Sequence, residues 1–296
     1  MSRVAYFLEK TTMPMALHRS LLFVPASRPE RISKALASDA DGVIVDLEDA
    51  VALDDKENAR QLLDDFLVKT PDARMLVRVN AVSSDAFDAD LALCAKHPGI
   101  LAVMLPKAET LEAVARVDDI GKPIYPLIET ARGLLALPQL CQAHGVARVS
   151  FGALDMANEL NLIAGTTGAE SVLDHCRYQL VVASSAAGLA PPLESVVPEI
   201  DDLSSVDSVA RRAAEMGFAG MLCIHPRQLS AIHPNFTPDA ATLGWAARVV
   251  ALADEGASAF QLDGRMVDAP VIARARSLLA RTESLSMPPP VEGSQN

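Results

Sequence analysis

Eight short runs of apolar, largely β-branched residues recur along the chain, and their spacing limits what it can fold into. They occupy 20–25, 42–46, 75–80, 100–106, 123–128, 148–152, 192–197 and 220–225. Near-continuous apolar runs of this length suit strands covered on both faces, as in a parallel sheet. Their starts lie about 22 to 33 residues apart, with one wider gap between the sixth and seventh. That is the rhythm of repeated βα units. Between them, 28–38, 54–67, 110–117, 134–143, 174–187 and 205–216 carry apolar residues at helical spacing, as Ala59, Leu62, Leu63 and Phe66 do. Asp54, Thr110 and Ser205 are expected as N-caps.

The pattern predicts an α/β fold, a (β/α)8 TIM barrel with a C-terminal helical lid or extension; a doubly wound open sheet is the alternative. The expected organisation is an N-terminal arm (1–18), the barrel (19–235), an extension packing on the barrel or a neighbouring subunit (236–286), and a disordered tail (287–296). Half of the 296 residues are hydrophobic, enough for a large core, and only 4% are aromatic, so that core should be rich in Leu, Val and Ala. A net charge of −12 argues against sequence-independent binding to nucleic acid or to an anionic membrane. The four cysteines, Cys94, Cys141, Cys176 and Cys223, form no CxxC pair and read as buried thiols. No signal peptide or spanning segment is visible, so a cytoplasmic location is expected.

In a barrel, chemistry belongs at the C-terminal strand ends. The first run leaves through Pro25, Ala26, Ser27 and Arg28, and the second through Asp46, Glu48 and Asp49. The following ones end in Arg78 and Asn80, Lys107 and Glu109, Glu129, Asp155, Glu194, and finally His225 and Arg227. Carboxylates and cations should therefore converge on one rim. Asp46, Glu48 and Asp49 could form a metal site, an acid/base pair or a solvated turn.

RSLLFVPASRPE, GVIVDLEDAV, LVRVNAV, MLPKAE, PLIETARG, FGALDMANEL, GFAGMLCIHPRQL and LDGRMVDAPVIARA follow one another in this order. Together they resemble the citrate lyase β-subunit-like branch of the HpcH/HpaI aldolase superfamily, from about Arg19 to about Ala280. The resemblance implies a Mg²⁺-dependent lyase, with Mn²⁺ as the alternative ion. Such an enzyme cleaves or forms a 3-hydroxyacyl-CoA such as citramalyl-, malyl- or citryl-CoA, with a 2-oxo acid and an acyl-CoA as the other partners. It further implies a homotrimer or hexamer.

By the same resemblance Glu129 and Asp155 hold the metal, since two carboxylates completed by water and substrate oxygens are a usual Mg²⁺ arrangement. Arg78 would clamp a substrate carboxylate or steady the enolate, and Asp268 would act as general base from a neighbouring subunit. Glu48 and Asp49 become supports of the ion's surroundings. Arg19, Pro25, Arg28 and Lys107 become substrate contacts. Two rival enzymes share the scaffold: a class II pyruvate-type aldolase on free hydroxy-oxo acids, and a citrate lyase β subunit acting on an acyl-carrier-protein thioester. The sequence shows no His near the early strand ends, which the aldolase uses as its base. A noncatalytic metabolite-binding barrel is the remaining alternative.

Overall fold

The computed structural model describes residues 17–286. Eight parallel strands close into a barrel in sequence order: β1 (Ser20–Pro25), β2 (Gly42–Asp46), β3 (Met75–Arg78), β4 (Ile100–Leu105), β5 (Ile124–Ile128), β6 (Ser150–Phe151), β7 (Leu193–Glu194) and β8 (Gly220–Cys223). Closure of β8 onto β1 excludes the open sheet. Helices α1 (Pro29–Leu36), α2 (Lys56–Lys69), α3 (Phe87–Lys96), α4 (Leu111–Asp118) and α5 (Ala131–Gln142) follow the first five strands. The wide gap between the sixth and seventh runs holds two helices, α6 (Ala153–Glu159) and α7 (Thr167–Ala187). Helices α8 (Leu203–Met216) and α9 (Leu229–Phe236) complete the ring.

Side chains alternate across each strand, so two cores form. One fills the barrel: Leu21, Ile44, Leu76, Met104, Tyr125, Leu127, Leu193 and Leu222, with Phe23 and Val196 partly buried beside them. The other, far larger, lies between strands and helices. Helix starts differ from expectation where a cap was overlooked. Thr110 caps α4 as expected, accepting from the Ala113 N–H. Helix α8 instead begins at the Asp202 carboxylate rather than Ser205, and α7 at Thr166. Asp54 lies in a 3₁₀ turn before α2 and is not its cap.

The base of the barrel is sealed by Arg148, 2% exposed, which donates to the carbonyls of Pro191 and His18. Burial and the Arg148 charge lower the pKa of His18 from 6.5 to about 4, against Asp41, which raises it. The folded state therefore binds fewer protons at this site than the unfolded chain between these values, and stability falls as pH drops from 6.5 toward 4. This single group is worth about 3 kcal/mol over that window. Melting curves of His18→Gln should lose that part of the acid sensitivity; an unchanged pH slope would sink this account.

Beyond α9 the chain forms α10 (Ala240–Asp254), a hairpin of β9 (Phe260–Leu262) and β10 (Arg265–Val267), and α11 (Ala269–Ser286). Ala246, Val249, Val267, Ile272 and Ala275 make its core, and no barrel residue belongs to that cluster. Among the described residues no helix is long and apolar enough to cross a membrane. The tail expected to be disordered, 287–296, and most of the N-terminal arm lie outside the described residues.

Candidate active site

The acidic turn after β2 is held from several directions. Both Asp46 oxygens face inward: they accept the backbone N–H groups of Glu48 (2.9 Å) and Ala50 (3.0 Å), which fixes the turn. They also accept Arg78 Nε (2.7 Å) and Nη2 (2.6 Å) from the neighbouring strand. Lys56 Nζ donates to the carbonyls of Leu47 (2.8 Å) and Glu48 (2.5 Å), and Asn80 Nδ2 donates to Leu47 O (3.0 Å). Asn80 is in turn fixed by Asp90, which also accepts from Arg60.

Arg78 is 9% exposed and its guanidinium lies 4.8 Å from the centre of the Phe23 ring. Its Nη1 reaches Glu48 Oε2 (3.1 Å) and Asp49 Oδ2 (3.2 Å). Burial alone would lower its pKa, but Asp46, Glu48 and Asp49 outweigh burial and raise it. Arg78 is a preoriented cation whose remaining N–H groups are available to a ligand.

Glu48 couples this half to the next. Its Oε1 accepts from Lys107 Nζ (2.6 Å). Its Oε2 is buried and, despite the ion-pair distance to Arg78, makes no directed hydrogen bond among the described residues. Burial first, then Asp49, raises the Glu48 pKa against the pull of Arg78 and Lys107. Lys107 sits at φ 47°, a left-handed conformation uncommon outside glycine. That twist sends its N–H to Glu129 Oε1 (2.8 Å) while its ammonium reaches Glu48. Burial works against the Lys107 charge, but Glu48 outweighs it and raises the pKa. A protonated amine has no lone pair for Schiff-base formation.

Glu129 follows β5 and is 1% exposed. A Cβ on Gly152 would stand 2.4 Å from Glu129 Cβ and 2.9 Å from its Oε2, so only glycine lets the β6–α6 turn pass so close. Burial, then the charges of Glu48 and Asp155, push Glu129 up to about 8, with the Lys107 N–H and ammonium opposing them. Asp155, exposed in the first turn of α6, is thus near enough for its charge to act on Glu129. The start of α6 is tied to β7, because Ser195 Oγ accepts the Ala153 N–H (2.9 Å).

This arrangement fits a hard divalent cation. A buried carboxylate is crowded by like charges, a second carboxylate stands open to solvent, and Glu48 Oε2 offers unused lone pairs. No group of three or more His, Cys, Asp or Glu among the described residues forms a ready cage. Mg²⁺ tolerates that, because it is usually held by one or two carboxylates with water or substrate oxygens.

The mouth therefore brings together Asp46, Glu48, Asp49, Arg78, Lys107, Glu129 and Asp155. Pro25 ends β1 half-buried on the same side, and Arg28 stands exposed on the following loop. Two sequence expectations, Arg19 and Glu194, require correction. Arg19 precedes β1 at the opposite end of the barrel, where it pairs with Asp41 (2.8 Å) and donates to Thr237. The whole length of β1 separates it from the mouth. Glu194 turns outward, since its odd-even position on β7 faces α7, and pairs there with Arg177 (2.8 Å). His225 caps the 3₁₀ turn that follows it. Asp268 closes the C-terminal hairpin, exposed, and among the described residues no hydrogen bond or ion pair ties its side chain to the mouth. Sequence reasoning overlooked Phe23, Gly152 and Ser195. The alternation of SLLFVP marks Phe23 as inward-facing, but nothing local flags the other two.

About nine-tenths of the chain is similar to known proteins. A citrate lyase subunit beta-like protein of Mycobacterium tuberculosis is 36% identical over 269 residues, covering 88% of this chain and 94% of that one. The mitochondrial citramalyl-CoA lyase of Rattus norvegicus is 29% identical over 299 residues, covering 90% and 86%. The crystal structure of CitE from Mycobacterium tuberculosis in complex with magnesium, acetoacetate and coenzyme A superposes with a TM-score of 0.78 at 35% identity, over 90% of this chain and 99% of that one. The sequence profile of one family matches residues 19–226, which span every barrel strand and every carboxylate of the mouth. By fold, by similarity along nearly its full length and by that profile, the chain belongs to the HpcH/HpaI aldolase/citrate lyase family.

Proposed function

We propose that the protein is a Mg²⁺-dependent carbon–carbon lyase that cleaves or forms a 3-hydroxyacyl-CoA, with a 2-oxo acid and an acyl-CoA as the other partners. The observation that carries this reading is the mouth itself: Glu129 and Asp155 beside a preoriented Arg78, in a chain similar to a protein crystallised with magnesium and coenzyme A. Glu129 and Asp155 hold the ion. Bound Mg²⁺ supplies Lewis-acid polarisation of the 2-oxo acid's oxygens and fixes that fragment in place.

In the cleavage direction the bond between the hydroxyl-bearing carbon and the carbon next to the thioester breaks. Its electron pair stays on the thioester fragment as an enolate, and the hydroxyl releases its proton to solvent as it becomes the oxo group. Arg78 offers its free N–H groups to the developing negative charge, and Asp46, Glu48 and Asp49 keep the guanidinium from turning. Lys107 holds Glu48 by its ammonium and Glu129 by its backbone N–H, so it sets the distance between the two halves of the site. Asp268, brought by a second copy of the chain, returns a proton to the enolate carbon, or removes it in condensation. Pro25 and Arg28 flank the path of the thioester arm. That division of labour needs an oligomer, and the family resemblance supports a trimer or a multiple of trimers. The four buried thiols, none in a disulfide, support a reducing, cytoplasmic setting.

The test is a panel of malyl-, citramalyl- and citryl-CoA with isolated protein, following CoA-ester loss and 2-oxo acid release. Turnover should appear with Mg²⁺ and vanish with chelator. Thioesters bound but not cleaved at any metal concentration would overturn the lyase reading in favour of a binding barrel.

A further inference from the structure

The mouth is chemically divided. Strands β2 to β6 and their loops supply Asp46, Glu48, Asp49, Arg78, Lys107, Glu129 and Asp155. Strands β1, β7 and β8 supply Phe23, Val196 and Ile224 instead. Phe23 and Val196 are two of the three partly buried residues packed against the cluster that fills the barrel, Ala147 being the third, and they follow the strands toward the mouth. Leu222 packs inside the barrel and Cys223, the last residue to pair with β1, outside it, so continued alternation would bring Ile224, in the bend that follows, back toward the side that Phe23 faces. Ile224 is 38% exposed there. The cations of this half are engaged elsewhere or stand outside it. Arg227 pairs with Asp201 on the rim, and Arg28 is exposed on the outer loop.

The Phe23 ring lies directly against Arg78, 4.8 Å from guanidinium to ring centre. Whatever group rests on this apolar floor is therefore attached to the reacting carbons, not to the distant nucleotide of the thioester. Resting on the lyase reading above, we propose that Phe23, Val196 and Ile224 determine specificity: they receive an uncharged substituent, hydrogen or a short alkyl group, on the hydroxyl-bearing carbon, and exclude a carboxymethyl group. A carboxylate placed on this floor would be desolvated against an aromatic ring and an isoleucine, and the cation beside it, Arg78, already faces the carboxylates of Asp46, Glu48 and Asp49. A methyl group there gains apolar contact. The preferred products are a 2-oxo acid with a hydrogen or methyl substituent and an acyl-CoA.

Binding and turnover are to be measured separately. Calorimetry with Mg²⁺ present compares glyoxylate, pyruvate and oxaloacetate, which carry hydrogen, methyl and carboxymethyl at the relevant carbon. Wild-type protein should bind pyruvate at least about tenfold more tightly than oxaloacetate, and kcat/KM should favour citramalyl- over citryl-CoA by about 100-fold or more. Ile224→Ala should weaken pyruvate by about tenfold while leaving glyoxylate within about twofold. Ile224→Arg, which gives a carboxylate its missing partner, should narrow or invert the pyruvate–oxaloacetate difference. Equal wild-type affinity for the two acids would overturn the proposal, as would an Ile224→Ala loss of the same size on pyruvate and glyoxylate. If the acids bind in the expected order but no thioester is cleaved, the lyase reading falls and the apolar floor stands.

Discussion

Glu129→Gln should abolish Mg²⁺-dependent turnover and weaken divalent-cation binding by more than about 100-fold, since partners that merely orient metal ligands already cost 10- to 100-fold. The same variant should melt no lower than wild type in the presence of a chelator. Both expectations come from one fact. Glu129 is buried, and burial together with Glu48 and Asp155 pushes its pKa up to about 8. Without a cation the folded state prefers the neutral acid, so ionisation of this group costs stability increasingly as pH rises from the ordinary carboxylate range through about 8. Glutamine keeps the shape and can still accept the Lys107 N–H at the Oε1 position, but carries no charge. It therefore relieves the protein of a buried anion while removing what attracts the ion. Titration with Mn²⁺ followed by spin resonance, alongside melting curves in EDTA at pH 6 and about 8.5, reads both effects. Wild-type cation affinity in Glu129→Gln would remove Glu129 from the metal site.

How far the sequence revealed this site depends on the range over which each signal acts. The strands were legible because an apolar β-branched run is local, and β1 and β2 begin and end where their patterns do. Strands β6 and β7 are shorter than their runs, two residues each, because Gly152 turns the chain toward α6 and Ser195 leaves the ladder to hold Ala153. The cluster of carboxylates and cations at the strand ends was legible from barrel geometry alone, once the barrel was granted. Direction was harder. Arg19 and Glu194 have the right chemistry near the right strands, yet one lies at the wrong end and the other on the wrong face. The end is fixed by chain polarity, and the face by a single-residue change in alternation that is easily lost in a two-residue strand. Lys107 is a further case. Its role as a spacer rests on a positive φ, which no residue-type signal announces.

Activity should return when Glu129→Gln and Asp268→Asn subunits, each inactive alone, are mixed under conditions that exchange subunits. The structure of the C-terminal unit motivates this expectation. Its core is closed among Ala246, Val249, Val267, Ile272 and Ala275, flanked by Trp245, Phe260 and Leu279, with no barrel residue in the cluster. A unit that satisfies its own core needs little from the barrel it follows, and residues 237–239 are all that separate α10 from α9. Its hairpin nevertheless leaves Met266 74% exposed, one of the larger apolar groups left uncovered, two residues from Asp268. An exposed methionine beside a carboxylate suits a face that docks on another copy. If Asp268 serves a neighbour's mouth, an intact site needs Glu129 from one subunit and Asp268 from another. Random mixing in a cyclic oligomer then restores roughly a quarter of the sites. If Asp268 serves its own barrel, every subunit in the mixture carries a defect in its own site and nothing is restored. Mass spectrometry of intact complexes establishes that mixed oligomers have formed, and CoA-ester cleavage reads the outcome. Mixed oligomers as inactive as their parents would remove Asp268 from any shared site, and with it the need for an oligomer in the mechanism.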